Sequence, residues 1–178
     1  MRQIEVALRN AAPMSPLDML VARRMNLAAF CGILKALPSG SATLGRTLAP
    51  SLASFLSRDY PALIVEEEEG LLPCLNRRLL LGDNLDDILR QLGDEHRQDV
   101  AHAKLLATRC DDFASEVDAD WPELCEALSD FADRQRRHLV WEDATILPIA
   151  RDRLLADDMR QWGCDMDRRY RLLTCQAD

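Results

Sequence analysis

His138 and Glu142 stand four residues apart in the stretch HLVWEDATILP, from His138 to Pro148. On a helix that spacing puts an imidazole and a carboxylate one turn apart on a single face, from which both can reach one cation. A second, imperfect copy of the stretch, LIVEEEEGLLP, runs from Leu63 to Pro73. In that alignment Glu142 falls on Glu67, Val140 on Val65, Ile146 on Leu71, Leu147 on Leu72 and Pro148 on Pro73, while His138 falls on Leu63. A lone H-x-x-x-E means little. Two copies, each ending in an aliphatic pair and a proline, point to facing helices that share a metal cage.

The elements that must carry these residues are helical by composition. Glycine is scarce at 7 of 178 residues, and Leu, Ala, Arg, Asp and Glu dominate. Residues 1–14 read as an N-terminal arm, with a short helix over Ile4 to Leu8, and residues 15–178 as one domain with a sizeable core. The first helix opens at Ser15 as N-cap, with Pro16 at the first helical position and Asp18 near the positive end of the dipole. Its apolar seam runs through Leu20, Leu27, Cys31 and Leu34. Position 24 interrupts that seam with Arg24, next to Arg23. Either the arginines snorkel to solvent, or one of them turns inward toward buried carboxylates.

PSGSATLG, 38–45, reads as a loop. A second helical region places Leu52, Phe55, Leu56, Leu63, Glu67 and Leu71 on one face, with Pro61 kinking it or starting its second half. Of the run Glu66 to Glu69 only Glu67 lies on that stripe, so the other three are expected in solvent. Asp83 is the expected N-cap of a third helix with Leu85, Ile88, Leu89, Leu92, His96, Val100, Ala103 and Leu106 inward, and His102 outside the stripe. Asp120 and Glu123 form a capping box for a fourth helix, whose seam is Leu124, Leu128, Phe131, Gln135, His138, Glu142 and Ile146. Beyond Pro148, a fifth, shorter helix over about 157–173 packs Met159, Trp162, Met166 and Tyr170 on the rest. The fold class expected is all-α: an antiparallel up-down-up-down four-helix bundle with an additional short C-terminal helix.

The formal charge of -8 argues against a general nucleic-acid binder, since no excess of positive charge faces phosphate. No apolar run approaches a membrane span, and the first residues are too polar for a signal peptide. The six cysteines, at 31, 74, 110, 125, 164 and 175, show no C-x-x-C pair, which fits a reducing cytoplasm without a disulfide framework. Cys31 and Cys110 fall on apolar stripes as small hydrophobes, whereas Cys74, Cys164 and Cys175 are the candidates for exposure.

From SPLDMLVARR through EEEEGLLP, the DEH around His96, HLVWEDATILP and MDRRY, the chain resembles the hemerythrin-like, or HHE cation-binding, family. The resemblance implies a four-helix bundle around a non-haem di-iron centre. The ligands would come from a histidine on the first helix, H-x-x-x-E on the second, a histidine on the third and H-x-x-x-E on the fourth. His96 matches the third-helix ligand, His138 and Glu142 the fourth-helix pair, and Glu67 the second-helix glutamate. The second-helix histidine is Leu63 here, and the first-helix histidine falls on Arg24. In the family those two serve one iron, the other two histidines serve the second iron, and the carboxylates bridge.

What the resemblance implies is therefore a half-site. One cation, iron or another divalent metal such as Mn or Zn, is held by Glu67, His96, His138 and Glu142, while the Arg24 guanidinium replaces the charge of the lost metal. The competing reading is a metal-free bundle in which Arg24 pairs with the carboxylates and the histidines hydrogen-bond internally. The function implied by the first is a sensor or regulatory module for oxygen, nitric oxide or metal; the second implies a protein-interaction module. A di-metal oxidase is not expected, because no E-x-x-H occurs in the sequence. No catalytic residue is assigned.

Overall fold

The computed structural model describes residues 14–37, 40–80, 82–83, 85–115 and 120–175. The expected helix over Ile4 to Leu8 lies outside the described residues. Helices α1 (Pro16–Lys35), α2 (Ala42–Ser54), α3 (Tyr60–Glu66), α4 (Leu72–Asn76), α5 (Asp86–Ala114), α6 (Trp121–Arg153) and α7 (Ala156–Cys175) succeed one another, and no strand occurs among the described residues. None of these helices is long and apolar enough to cross a membrane.

The start signals hold for α1 and α6. Ser15 accepts from the Asp18 backbone N–H at 3.1 Å, and Asp120 accepts from that of Glu123 at 3.2 Å. Two other boundaries differ from the sequence reading. Ser41 caps a helix from Ala42, so the last four residues of PSGSATLG are helical. Asp83 does not cap α5, whose N-cap position is Leu85 without a side-chain bond; the Asp83 carboxylate instead accepts from Leu80 and pairs with Arg153. Helix α6 runs through Pro148 to Arg153.

Segments α2, α3 and α4 form one rod, 42–76, broken by two π turns at Phe55–Asp59 and Glu67–Leu71. Each π turn ends just ahead of a proline at the second position of the next segment, Pro61 and Pro73. A proline ring crowds the carbonyl four residues back and offers no N–H, and widening the ladder to i→i+5 relieves both. The ladder does so through Tyr60 N–H to Phe55 O and Leu72 N–H to Glu67 O. Each insertion rotates the next segment by about 100° relative to a plain helix. The second one falls on the glutamate run.

Helix α1 packs chiefly on α6, and α2 on α5; α5 also meets α6, α3 and the first π turn, and α7 lies on α1 and the second π turn. The seams read from sequence face one continuous core: Leu20, Leu27, Cys31 and Leu34 from α1, Leu56, Leu63 and Leu71 from the rod, Leu92, Ala103 and Leu106 from α5, and Leu128, Phe131 and Ile146 from α6. At one end Phe113 and Trp121 stack at 4.8 Å, and Trp121 lies so close over Gly45 that no Cβ fits there. Trp162 and Met166 of α7 are buried with Met159 partly so, but Tyr170 is exposed. Of the cysteines proposed for exposure, Cys164 is exposed and Cys74 is buried, because the turn of Leu72–Asn76 carries Cys74 inward with Leu75. Cys31 and Cys110 are buried, and burial pushes their thiols up to about 11 and about 12, so both act as small hydrophobes.

Candidate metal centre

The side chains singled out by the H-x-x-x-E repeat meet inside the core. Arg24, Glu67, His96 and Glu142 are all buried, and the His138 side chain is only 8% exposed. Arg24 turns inward, while Arg23 stays at the margin.

Each of the two carboxylates is used on both sides. Arg24 Nη1 donates to Glu67 Oε1 at 2.6 Å and also to Glu142 Oε2. Glu67 Oε2 then faces His96 Nε2 at 3.5 Å, and Glu142 Oε1 lies 3.7 Å from His96 Nε2 and 3.5 Å from His138 Nε2. The carboxylates thus bridge a guanidinium on one side and an imidazole pair on the other. Arg24 Nη2 is held by Asp143 Oδ1 at 2.9 Å and the Leu139 carbonyl at 3.2 Å. Leu63, where the complete copy has histidine, is a plain core leucine.

The imidazole side is poised differently. The two Nε2 atoms are 3.1 Å apart. His96 Nδ1 bonds Glu68 Oε1, and His138 Nδ1 lies 3.5 Å from Glu95 Oε2. Glu68 can only accept, so its bond places a proton on His96 Nδ1, and the His96 Nε2 is left facing that of His138. At 3.1 Å the two nitrogens can share one proton or both turn toward one cation. Carboxylates on Nδ1 are also the usual supports of metal-bound histidines.

His96, His138 and Glu142 each offer a donor atom within 4.8 Å of the others, and this buried group is placed to hold a metal ion. Four N or O donors about 2.0–2.1 Å from a tetrahedral ion stand roughly 3.4 Å apart. The separations of 3.1, 3.5 and 3.7 Å among the three match one face of such a figure. Glu67 approaches this group through His96 alone.

Without an ion, the cluster shares protons. Burial acts against charge on His96, but its bonds to Glu142 and Glu68 and the charge of Glu67 push its pKa up to about 10. His138 is opposed by burial too and raised by Glu142. Burial would raise Glu142, yet His138, His96 and Arg24 hold it well below the usual carboxylate range. Glu67 is pushed up to about 7 by burial and by the charge of Glu142. Arg24 resists deprotonation despite burial because it faces both acids.

Several partners escaped the sequence reading. Of the glutamate run only Glu69 is left in solvent: Glu66 is buried and Glu68 bonds His96, because the π turn at Glu67–Leu71 spreads the run over a wider arc than a plain helix does. Glu95, beside His96, and Asp143, beside Glu142, were visible as acids adjacent to ligands. One turn from the histidines, Gln135 Nε2 donates to Asp99 Oδ2 at 2.8 Å in a second buried polar pair, with Arg134 Nε 2.5 Å from Asp99 Oδ1. His102, expected at the surface, is half-buried with its ring edge-on to Phe131.

No family model, no curated protein and no solved structure matches the chain.

Proposed function

We propose that the chain is a hemerythrin-like, up-down-up-down four-helix bundle holding one divalent cation with His96, His138, Glu142 and Glu67, and that Arg24 supplies in covalent form the charge of a second cation. The observation that carries this reading is the pair of Nε2 atoms 3.1 Å apart, each ring with its Nδ1 facing a carboxylate. Imidazole with carboxylate suits Fe, Mn or Zn. With iron, the site would add one-electron redox chemistry and affinity for a diatomic gas, and the reading of a sensor or regulatory module for oxygen, nitric oxide or metal rests on the family resemblance. The residues of the chain do the rest. Glu68 and Glu95 face the rings, and Arg24 favours the charged form of the carboxylates opposite them, with Glu142 held ionised while burial pushes Glu67 up to about 7.

A second reading is favoured by one observation: Arg24 already bonds both carboxylates, so a shared proton between the histidines completes a metal-free core. The bundle is then an interaction module that has lost its ion. Metal analysis of protein purified without chelator separates the two. About one equivalent in wild type, falling to background in His138→Ala and Glu142→Ala, supports the cation; background metal in wild type leaves the interaction module. A near-ultraviolet and visible spectrum after Fe(II) and air distinguishes iron from a redox-silent metal.

A further inference from the structure

Three consecutive glutamates at the second π turn are tied to three different bodies. Glu67 is held by Arg24 of α1, and Glu68 by His96 of α5. Glu66 is held by α7: Trp162 Nε1 donates to its Oε2 at 3.3 Å and Arg169 Nε to its Oε1 at 3.1 Å, with Arg169 Nη2 bonding Oε2 as well. The grip continues at Gly70, which the indole of Trp162 covers so closely that a Cβ has no room. The turn that delivers one candidate ligand, and the acid that orients another, is therefore clamped from outside by the C-terminal helix.

Helix α7 is well made for a separate movement. It comes after α6 with only Leu154 and Leu155 between them, Leu154 being extended at φ -72° and ψ 128°. Its start is fixed by Asp158, which accepts from Leu155 N–H at 2.9 Å and from Arg78 Nε at 2.8 Å. Among the described residues its buried apolar side chains are Trp162 and Met166, and it lies on α1 and on the π turn, not between the helices that bury the histidines.

We propose that α7 is the element that reads the state of the metal centre: cation binding fixes the Glu66–Gly70 turn and favours docked α7, and undocking α7 weakens the cation. This rests on the cation reading under the proposed function. Coupling between two sites is reciprocal, so whatever factor the ion contributes to docking, docking returns to the ion. The energy passes through a two-state contact: Trp162 either covers Gly70 or does not.

Zn(II) and the full-length chain provide the test, with affinity measured against a chromophoric chelator and amide exchange followed along 156–175. Zn(II) is expected to slow exchange throughout α7. Arg169→Ala, which touches no candidate ligand, is expected to lower Zn(II) affinity about tenfold with the fold retained, and Gly70→Ala, which expels Trp162, to do the same. Arg169→Lys should recover part of the loss, and Lys35→Ala, which breaks a surface pair with Asp133, should change nothing. If wild type binds Zn(II) while α7 exchange stays the same, or if Arg169→Ala binds like wild type, the coupling is refuted. An equal loss in Lys35→Ala also refutes it, by showing general destabilisation. A wild-type chain that takes up no Zn(II) sinks the cation reading itself.

Discussion

The two sides of the Glu67–Glu142 pair face the same two acids and answer them in opposite ways. On the α1 side the counter-charge is a guanidinium, fixed to the chain and ionised at any working pH. On the α5–α6 side it is a pair of imidazoles, whose charge is a proton or an ion that can leave. A permanent cation makes its half structural. An exchangeable one makes its half responsive, and the carboxylates between them touch both.

The largest effect is expected from breaking the permanent half. Arg24→Leu strands two buried carboxylates against a leucine, and such losses cost about 3–5 kcal/mol; denaturant unfolding should show that fall, and unchanged stability would mean the acids do not depend on Arg24.

The exchangeable half is sharpened by pH. In metal-free protein the folded state holds the His96 proton up to about 10 against an ordinary value of 6.5, so this contribution is fully present below about 6.5 and lost as pH rises through about 10. His138, shifted the same way, adds to the slope. Glu142 works in the other direction: its contribution is present above its ordinary 4.5 and lost in acid. Unfolding midpoints between pH 6.5 and 10 should therefore decline in wild type and flatten in His96→Gln. Cation uptake needs the neutral ring and should release protons, weakening as the solution is acidified.

The smallest effect is expected at the rim of the arginine side. Asp143 also binds Arg24, but its side chain is 61% exposed. Asp143→Ala should cost less than about 1 kcal/mol by the same unfolding measurement, and a loss as large as that of Arg24→Leu would erase the distinction between the buried pair and its rim.

Much of this centre was legible because helical periodicity is local. The spacing of His138 and Glu142, the seam interrupted at Arg24 and the inward position of His96 needed only about 3.6 residues per turn. Where the period itself changed, legibility ended. Glu66 and Glu68 read as solvated acids since a π turn was not visible in the run of glutamates, although a proline two residues beyond Leu71 was the cause. Asp83 looked like a cap because its type and position suited one; Arg153, 70 residues away, claimed it instead. Tyr170 was read as packing inward from α7, but it is exposed, one position beyond Arg169, whose guanidinium bonds Glu66.

Sequence alone determined that the chain is helical, which faces are apolar, and which ionisable residues interrupt them, because each of these depends on neighbours three or four positions away. Only the tertiary structure decided that Arg24 and not Arg23 turns inward, that each carboxylate divides its oxygens between a guanidinium and an imidazole pair, and that α7 grips the turn carrying Glu67. Those outcomes depend on which helices meet and at what rotation, a matter of packing between residues far apart in the chain that no local period specifies.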